Sequence, residues 1–512
     1  MKLKKKTFFK IHQWIGIKLS ILFFIVCISG TFATLSNEMD WLFFEEIRVT
    51  PSEKLASKNI IVKQVENLYP EGKISYWAAA NAPYLCDIIY VIKDEKRYYV
   101  FANPYTGEVQ GATTLTFQRF FRDLHYYLFI PFQIGHFTVL IFGFLLFISL
   151  TTALLFYKKW YKKLFELKTG KGKLVLYGSL HRLVGVWSVP FVILFSVTGI
   201  WYFLERTNIA GISRVSNTKA PELEMPMTDS IAFENLTYNL DYDKAIEQAK
   251  ANIPNLVVKD ILPPSKMGRA LYLNGISEEP LVRNRANRIY LHPVTYEVIK
   301  VQNAAENPTR MWLNDIADPL HFGYWGGLVT KVLWFFGGLA ISALVLTGLW
   351  ISQKRKVRGE QKRKAQKMGG WKYVNWIVSL LLLGFMYTTL IARYQASLTA
   401  IAIISLAWLL GGIDWWYLFV YRIRRALEKE QTKKQNKYLF VSKTYNFGAY
   451  FTKLIPSKTN PPTQSRNRTV FVKKSLFTIQ AIRKYTCDGN AIESIRDLQS
   501  QLRIRFSTIC TA

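Results

Sequence analysis

The 512-residue sequence predicts an α-helical integral membrane protein with two α+β domains outside the cytoplasm, on a helix–domain–helix unit that occurs twice. Three observations predict it. Six apolar runs carry almost no charge, basic clusters abut alternate ends of those runs, and motif pairs recur at constant offsets.

The runs lie at about 15–35, 132–157, 183–204, 328–351, 374–392 and 396–420. Roughly 20 helical residues cross a hydrocarbon core of about 30 Å, so each run is a transmembrane candidate. The first is long and has a later copy, which argues against a cleaved signal peptide. "MKLKKKTFFK" precedes the first run, "YKKWYKKLFELKTGKGK" follows the second, "SQKRKVRGEQKRKAQKMGGWK" the fourth and "YRIRRALEKEQTKKQNK" the sixth. All four are cytoplasmic if the N-terminus is inside. Much of the net charge of +32 is then an orientation signal and not a nucleic-acid footprint, because every basic run abuts a span.

This divides the chain into a cytoplasmic start with the first span (1–35), an outer domain (36–124), two spans joined by a basic loop (125–204), a second outer domain (205–320), a fourth span (321–352), a basic loop with two more spans (353–421) and a basic cytoplasmic tail (422–512). Of the four cysteines, Cys86 alone falls in an outer domain, so no internal disulfide staples either one and each must fold on its own small core. In the first, "IIVKQVENLY" is helix-like and strands are expected at about 73–78, 86–92 and 97–102. In the second, "DYDKAIEQAKANI" is helical with Asp241 as N-cap, and strands are expected near 256–262, 269–274 and 287–292. The tail contains "PSKTNPPTQSRNR", which reads as flexible, and weak helical periodicity at its end.

The repeat is carried by particular residues. His12, Gly16 and Gly30 match His181, Gly185 and Gly199 at one offset, since 181 − 12, 185 − 16 and 199 − 30 all equal 169. Asn103-Pro104-x-Thr106-x-Glu108-Val109 matches His292-Pro293-x-Thr295-x-Glu297-Val298, with 292 − 103 = 189. "RDLHYYLFIP" holds His125 and "ADPLHFGYWGG" holds His321. The last two spans have no histidine and no partner in the repeat.

His12 and His181 stand at cytoplasmic ends, His125 and His321 at outer ends, so each pair can meet across two helices. Ionisable groups at membrane depth are costly and usually functional. On a continuous helix four residues make just over one turn and eighteen make five, so Gly16 and Gly30 share a face with His12, as Gly185 and Gly199 do with His181. A glycine one turn from an imidazole leaves clearance for a porphyrin plane. A close helix–helix contact is the competing use of the same glycines. Two facing histidines suit haem iron with both axial positions filled. Zinc wants three or four ligands at one centre. A proton relay is a third use, though nothing else ionisable lies deep in the spans. His136 competes with His125 for the outer position; Pro131 breaks the helix between them, and residue 331, near the equivalent of 136, is lysine. His292 reads as a turn residue, because its counterpart is Asn103.

"IHQWIG…ISG", "NPYTGEV", "LHYYLFIP", "LHRLVGVWSVPFVILFSVTG" and "PLHFGYWGGLVTKVLWFFGGLAISALVLTGLW" together resemble the PepSY-associated transmembrane helix family, over roughly residues 6–352. The resemblance implies an iron-regulated inner-membrane protein with four core helices and two periplasmic PepSY domains. Some members look like ferric-siderophore reductases with two b-type haems, and His12, His125, His181 and His321 occupy the family's histidine positions. One departure is Tyr296 where the first turn has Gly107; tyrosine resists positive φ, so the second turn is expected to be reshaped.

The leading expectation is therefore an inner-membrane haem oxidoreductase, passing electrons from a His12/His181 haem b to a His125/His321 haem b and on to a periplasmic ferric chelate. No strand–GxGxxG–helix fingerprint is visible, so the donor is a quinol or another protein. The rivals are a non-enzymatic PepSY module that binds a peptide or protease, and a ferric-chelate transporter.

Overall fold

In the computed structural model, residues 5–212, 219–223, 236–357 and 369–422 are described, with 424, 425, 428, 432, 435 and 436. The basic stretch 358–368 and nearly all of the expected tail, 422–512, lie outside the described residues. Residues 1–431 form one compact unit and 432–512 another; every feature below belongs to the first.

Helices α1 (Lys5–Lys18) and α2 (Ser20–Thr34) make the first span as a pair bent by 75°. At the break the Lys18 carbonyl accepts a hydrogen bond from Asn375 Nδ2 at 2.8 Å, and a side chain inserted in the backbone ladder is a recognised cause of a sharp kink. The expectation of one helix through residues 12–30 is overturned: His12 and Gly16 lie on α1, Gly30 on α2. A short α3 (Ser36–Phe43) leads to α4 (Lys58–Leu68) and strands β1 (Lys73–Ala78), β2 (Asp87–Lys93), β3 (Lys96–Ala102) and β4 (Val109–Thr113).

Helix α5 (Phe117–Tyr127) carries His125. Leu128 and Phe129 then take φ of +58°, and Pro131 opens α6 (Phe132–Phe156). Next come α7 (Lys173–Trp187) and α8 (Val189–Arg206), separated at Ser188, because Pro190 lacks an N–H and belongs in a first helical turn. His181 and Gly185 thus sit on one segment and Gly199 on the next, a second departure from the shared-face reading.

The chain continues through α9 (Leu236–Asn239), α10 (Tyr242–Asn252), β5 (Val257–Leu262), β6 (Leu271–Ile276), β7 (Asn287–Leu291), β8 (Val298–Gln302), α11 (Thr309–Asp315) and α12 (Ala317–Phe322). The last α-helices among the described residues are α13 (Gly327–Val357), α14 (Trp371–Thr388) and α15 (Leu398–Trp416). Among the described residues five helices are long and apolar enough to cross a bilayer, or six spans if the bent pair counts as one. Asp241 caps α10 as expected, accepting from Lys244 N at 2.9 Å.

All eight strands form one antiparallel sheet, ordered β4-β3-β2-β1-β5-β6-β7-β8. Strands β4 and β8 follow the two matched turns and escaped the sequence reading, being short and half-polar. The seam is β1 against β5, with Trp77 opposite Ile261 and Ala78 opposite Asp260. Separate small cores are therefore overturned. Ile61, Val65, Trp77 and Ile89 share one buried cluster with Tyr242, Ala245, Ile261 and Leu273. Two four-stranded halves that would each leave an unpaired edge remove it by joining. The helices on this sheet cap one another too. Asp243 accepts from Lys58 N at 2.8 Å at the start of α4, and Asn59 accepts from Tyr242 N at 2.8 Å at the start of α10.

The matched turns superpose in their bonding. Asn103 Oδ1 accepts from the amides of Tyr105 and Thr106, and His292 Nδ1 accepts from those of Val294 and Thr295. Tyr296 takes φ +65° where Gly107 takes +80°, so the second turn is not reshaped. Its buried ring and its hydroxyl, which accepts from Asp241 N at 2.6 Å, offset the strain of that conformation.

Candidate functional site

Four half-buried histidines meet in two pairs. The ring centres of His12 and His181 are 6.5 Å apart, those of His125 and His321 6.2 Å. Each ring is held through Nδ1 by a different helix. His12 reaches the Ser149 carbonyl at 3.0 Å and Ser149 Oγ at 3.1 Å, from α1 to α6. His125 reaches the Val26 carbonyl at 2.9 Å and Ser29 Oγ at 3.4 Å, from α5 to α2. His181 meets Thr347 Oγ1 at 2.9 Å on α13, and His321 meets Thr198 Oγ1 at 2.7 Å on α8.

These partners assign the tautomer. A carbonyl only accepts, so His12 and His125 donate from Nδ1. The two threonine hydroxyls already donate to carbonyls one turn back, Thr347 to Ala343 at 2.8 Å and Thr198 to Leu194 at 2.7 Å, so they accept from His181 and His321. All four imidazoles then carry the proton on Nδ1 and a lone pair on Nε2, the form a metal ligand requires.

The glycines divide their roles. A Cβ at Gly16 would meet nothing within 4 Å, and one at Gly185 only Leu344 at 3.8 Å, so both leave room beside their histidines. Gly30 instead lets the His125 ring lie flat on α2, where a Cβ would stand 2.7 Å from Cε1. Gly199 faces Gly143 at the crossing of α8 with α6, the close-contact use. His136 is buried apart from both pairs; its Nδ1 bonds the Tyr126 carbonyl at 3.2 Å and its ring stacks on Phe132.

Two polar knots hold the His125–His321 pair. The N-terminus of α5 is capped by Asp40, which accepts from Phe117 N at 2.6 Å and Gln118 N at 3.1 Å. Burial pushes the Asp40 carboxyl up to about 7, outweighing the two amides that pull it down. Beside His321, Arg283 from the β6–β7 connection donates to Asp315 at 2.7 Å and Asp318 at 3.4 Å, while Tyr202 donates to Asp318 at 2.8 Å. Burial raises the Asp315 carboxyl, and the Arg283 guanidinium opposes the rise.

Sequence reasoning missed Ser29, Ser149, Thr198 and Thr347. A signal existed for one pair, since 198 − 29 = 169, the offset between His12 and His181. The residues fit haem ligation. The two imidazoles of each pair, with ring centres 6.5 and 6.2 Å apart, would both be available to one iron held between them. Among the described residues no three His, Cys, Asp or Glu side chains converge on a point.

Fold and site define a helical membrane protein that bears an antiparallel sheet and two cross-helix histidine pairs. A family model described as the PepSY-associated TM region matches residues 9–355, and the chain belongs to that family. No curated protein sequence matches it. The α14–α15 hairpin lies beyond the matched residues.

Proposed function

We propose that this chain is an inner-membrane oxidoreductase that holds one haem b between His12 and His181 and a second between His125 and His321, and reduces a ferric chelate such as a siderophore in the periplasm. The observation that carries this reading is the pair of imidazole spacings, 6.5 and 6.2 Å, with every Nδ1 engaged across helices. Such outer hydrogen bonds orient a ligand and raise its basicity. The bound group supplies one-electron chemistry; the protein supplies ligation, clearance at Gly16 and Gly185, and a low dielectric around the rings.

The two levels suit transfer across a bilayer. His181 on α7 lies seventeen residues before Thr198 on α8, the residue that holds His321, a separation of at most about 25 Å were the two helices collinear. The hydrocarbon core is about 30 Å thick. The lysine and arginine clusters support a cytoplasmic N-terminus and a periplasmic sheet. The 169 and 189 offsets, with a strand order that mirrors about β1–β5, support a duplicated helix–PepSY–helix unit with two PepSY domains. The donor is a quinol or a partner protein.

The test is haem stoichiometry. Purified protein should show a Soret band that shifts on dithionite reduction. His12→Ala and His181→Ala should each remove one haem, and the double variant no more than that. His125→Ala and His321→Ala should do the same for the other, and losses across the pairs should add. A drop in His136→Ala with none in His125→Ala would move the outer ligand. A colourless folded protein, or full haem in all five single variants, overturns the proposal.

A further inference from the structure

At the outer end of the helices, α5 and α14 enclose a cleft of about 450 Å³ that the histidine pairs do not use. Its walls are aromatic, with Tyr126, Phe132 and Phe385 partly exposed. Arg122 and Arg393 flank its mouth and are both exposed. Arg393 has no carboxylate within ion-pair distance among the described residues, and Arg122 reaches only Asp123 Oδ1, at 3.5 Å.

The floor is Asp123, fully buried. Its Oδ2 accepts from Arg119 Nε at 2.9 Å, from Tyr127 at 2.7 Å and from the Tyr394 hydroxyl. Its Oδ1 is closed off from solvent and has the Arg122 guanidinium at 3.5 Å. Three arginines against one aspartate leave the cleft at +2. The cleft thus offers two guanidinium forks for an anion beside apolar walls at the end of a helix long and apolar enough to span a bilayer.

We propose that this cleft binds an anionic glycerophospholipid. The phosphodiester sits on Arg122 and Arg393, where Arg–phosphate contacts are bidentate and strong. The acyl chains run along Phe385. An adjacent carboxylate would repel the phosphate, but Arg119 already neutralises it. A zwitterionic choline headgroup leaves the positive charge uncompensated. The site exists because residues beyond the family-matched region complete it: Arg393 and Phe385 come from α14 and its exit, as does Tyr394 of the floor. It does not depend on haem.

The test uses the full chain, delipidated in detergent and titrated with phosphatidylglycerol, phosphatidylethanolamine or phosphatidylcholine of identical acyl chains, read by native mass spectrometry and by thermal shift. One phosphatidylglycerol should be retained with at least about tenfold preference over the choline lipid, and it should raise the melting midpoint. Arg122→Gln with Arg393→Gln should abolish both effects, whereas Arg48→Gln, a surface arginine elsewhere, should leave them intact. Equal retention of all three lipids overturns the proposal. So does retention unchanged in the double variant, or an equal shift from glycerol 3-phosphate with no lipid retained, which would make the site one for a soluble oxyanion.

Discussion

Replacing Thr198 by Val should weaken the outer site far more than replacing Ser29 by Ala, although the two residues occupy one repeat position. His321 has a single acceptor for its Nδ1 proton, the Thr198 hydroxyl at 2.7 Å. Valine keeps the volume and removes that acceptor. An imidazole N–H left unsatisfied in a half-buried site costs about 1–3 kcal/mol, or about 5- to 150-fold in whatever Nε2 binds. Measured losses of outer hydrogen bonds to metal-bound histidines run about 10- to 100-fold. His125 keeps the Val26 carbonyl at 2.9 Å when Ser29 becomes Ala, and gives up only a contact of 3.4 Å, so the loss should stay within about threefold. The inner pair repeats the contrast: Thr347→Val should weaken the His181 side, while Ser149→Ala leaves His12 its carbonyl at 3.0 Å. The assay is the rate of haem loss to an excess of a haem-scavenging protein, followed at the Soret band, for all four variants. Equal rates for Thr198→Val and Ser29→Ala would refute the reasoning. So would haem loss from Thr198→Val no faster than wild type in a protein where His321→Ala has lost the haem.

Three further outcomes follow. Trp77, 1% exposed at the β1–β5 seam, should cost about 3–5 kcal/mol as Trp77→Ala, and limited proteolysis should then cut both sheet halves together; cutting confined to residues 36–124 would show that the halves keep separate cores. Asp40 is raised to about 7, so between about pH 4 and pH 7 the folded protein holds a proton that the unfolded chain has lost, and stability falls by at most about 4 kcal/mol as pH rises through that window. Asp40→Asn should flatten the melting midpoint across that range, and an unchanged slope would assign the pH dependence elsewhere. Reporters fused after Ser36 or Arg206 should read the periplasm and one after Lys171 the cytoplasm; residue 171 on the outer side would break the proposed electron path.

Much of the molecule was legible from sequence, because the quantities that govern it are local. Apolar length decides what can span a bilayer, and five of the expected runs return as helices; the sixth is the bent pair. Proline decides where α5 ends and α6 begins. Asn103 and His292 could be matched because both offer one acceptor at the same turn position. Four histidines could be paired because matching repeated motifs needs no coordinates.

What only tertiary structure decided is every contact between residues far apart in the chain. The bend at Leu19 is set by Asn375, which arrives from α14 to take the Lys18 carbonyl. The single sheet follows from β1 meeting β5, a pairing with no local signature, since two edges of alternating residues read alike whether they stay apart or join. Tyr296 keeps a left-handed turn because Asp241 and the shared core hold its side chain, which outweighs its backbone preference. The tautomer of each histidine depends on a carbonyl or hydroxyl from another helix, 96 to 166 residues away. Periodicity encodes which face of a helix is apolar; it does not encode which atom of a second helix comes to rest 3 Å from an imidazole. That distance is a property of packing, and packing is decided by all the helices at once.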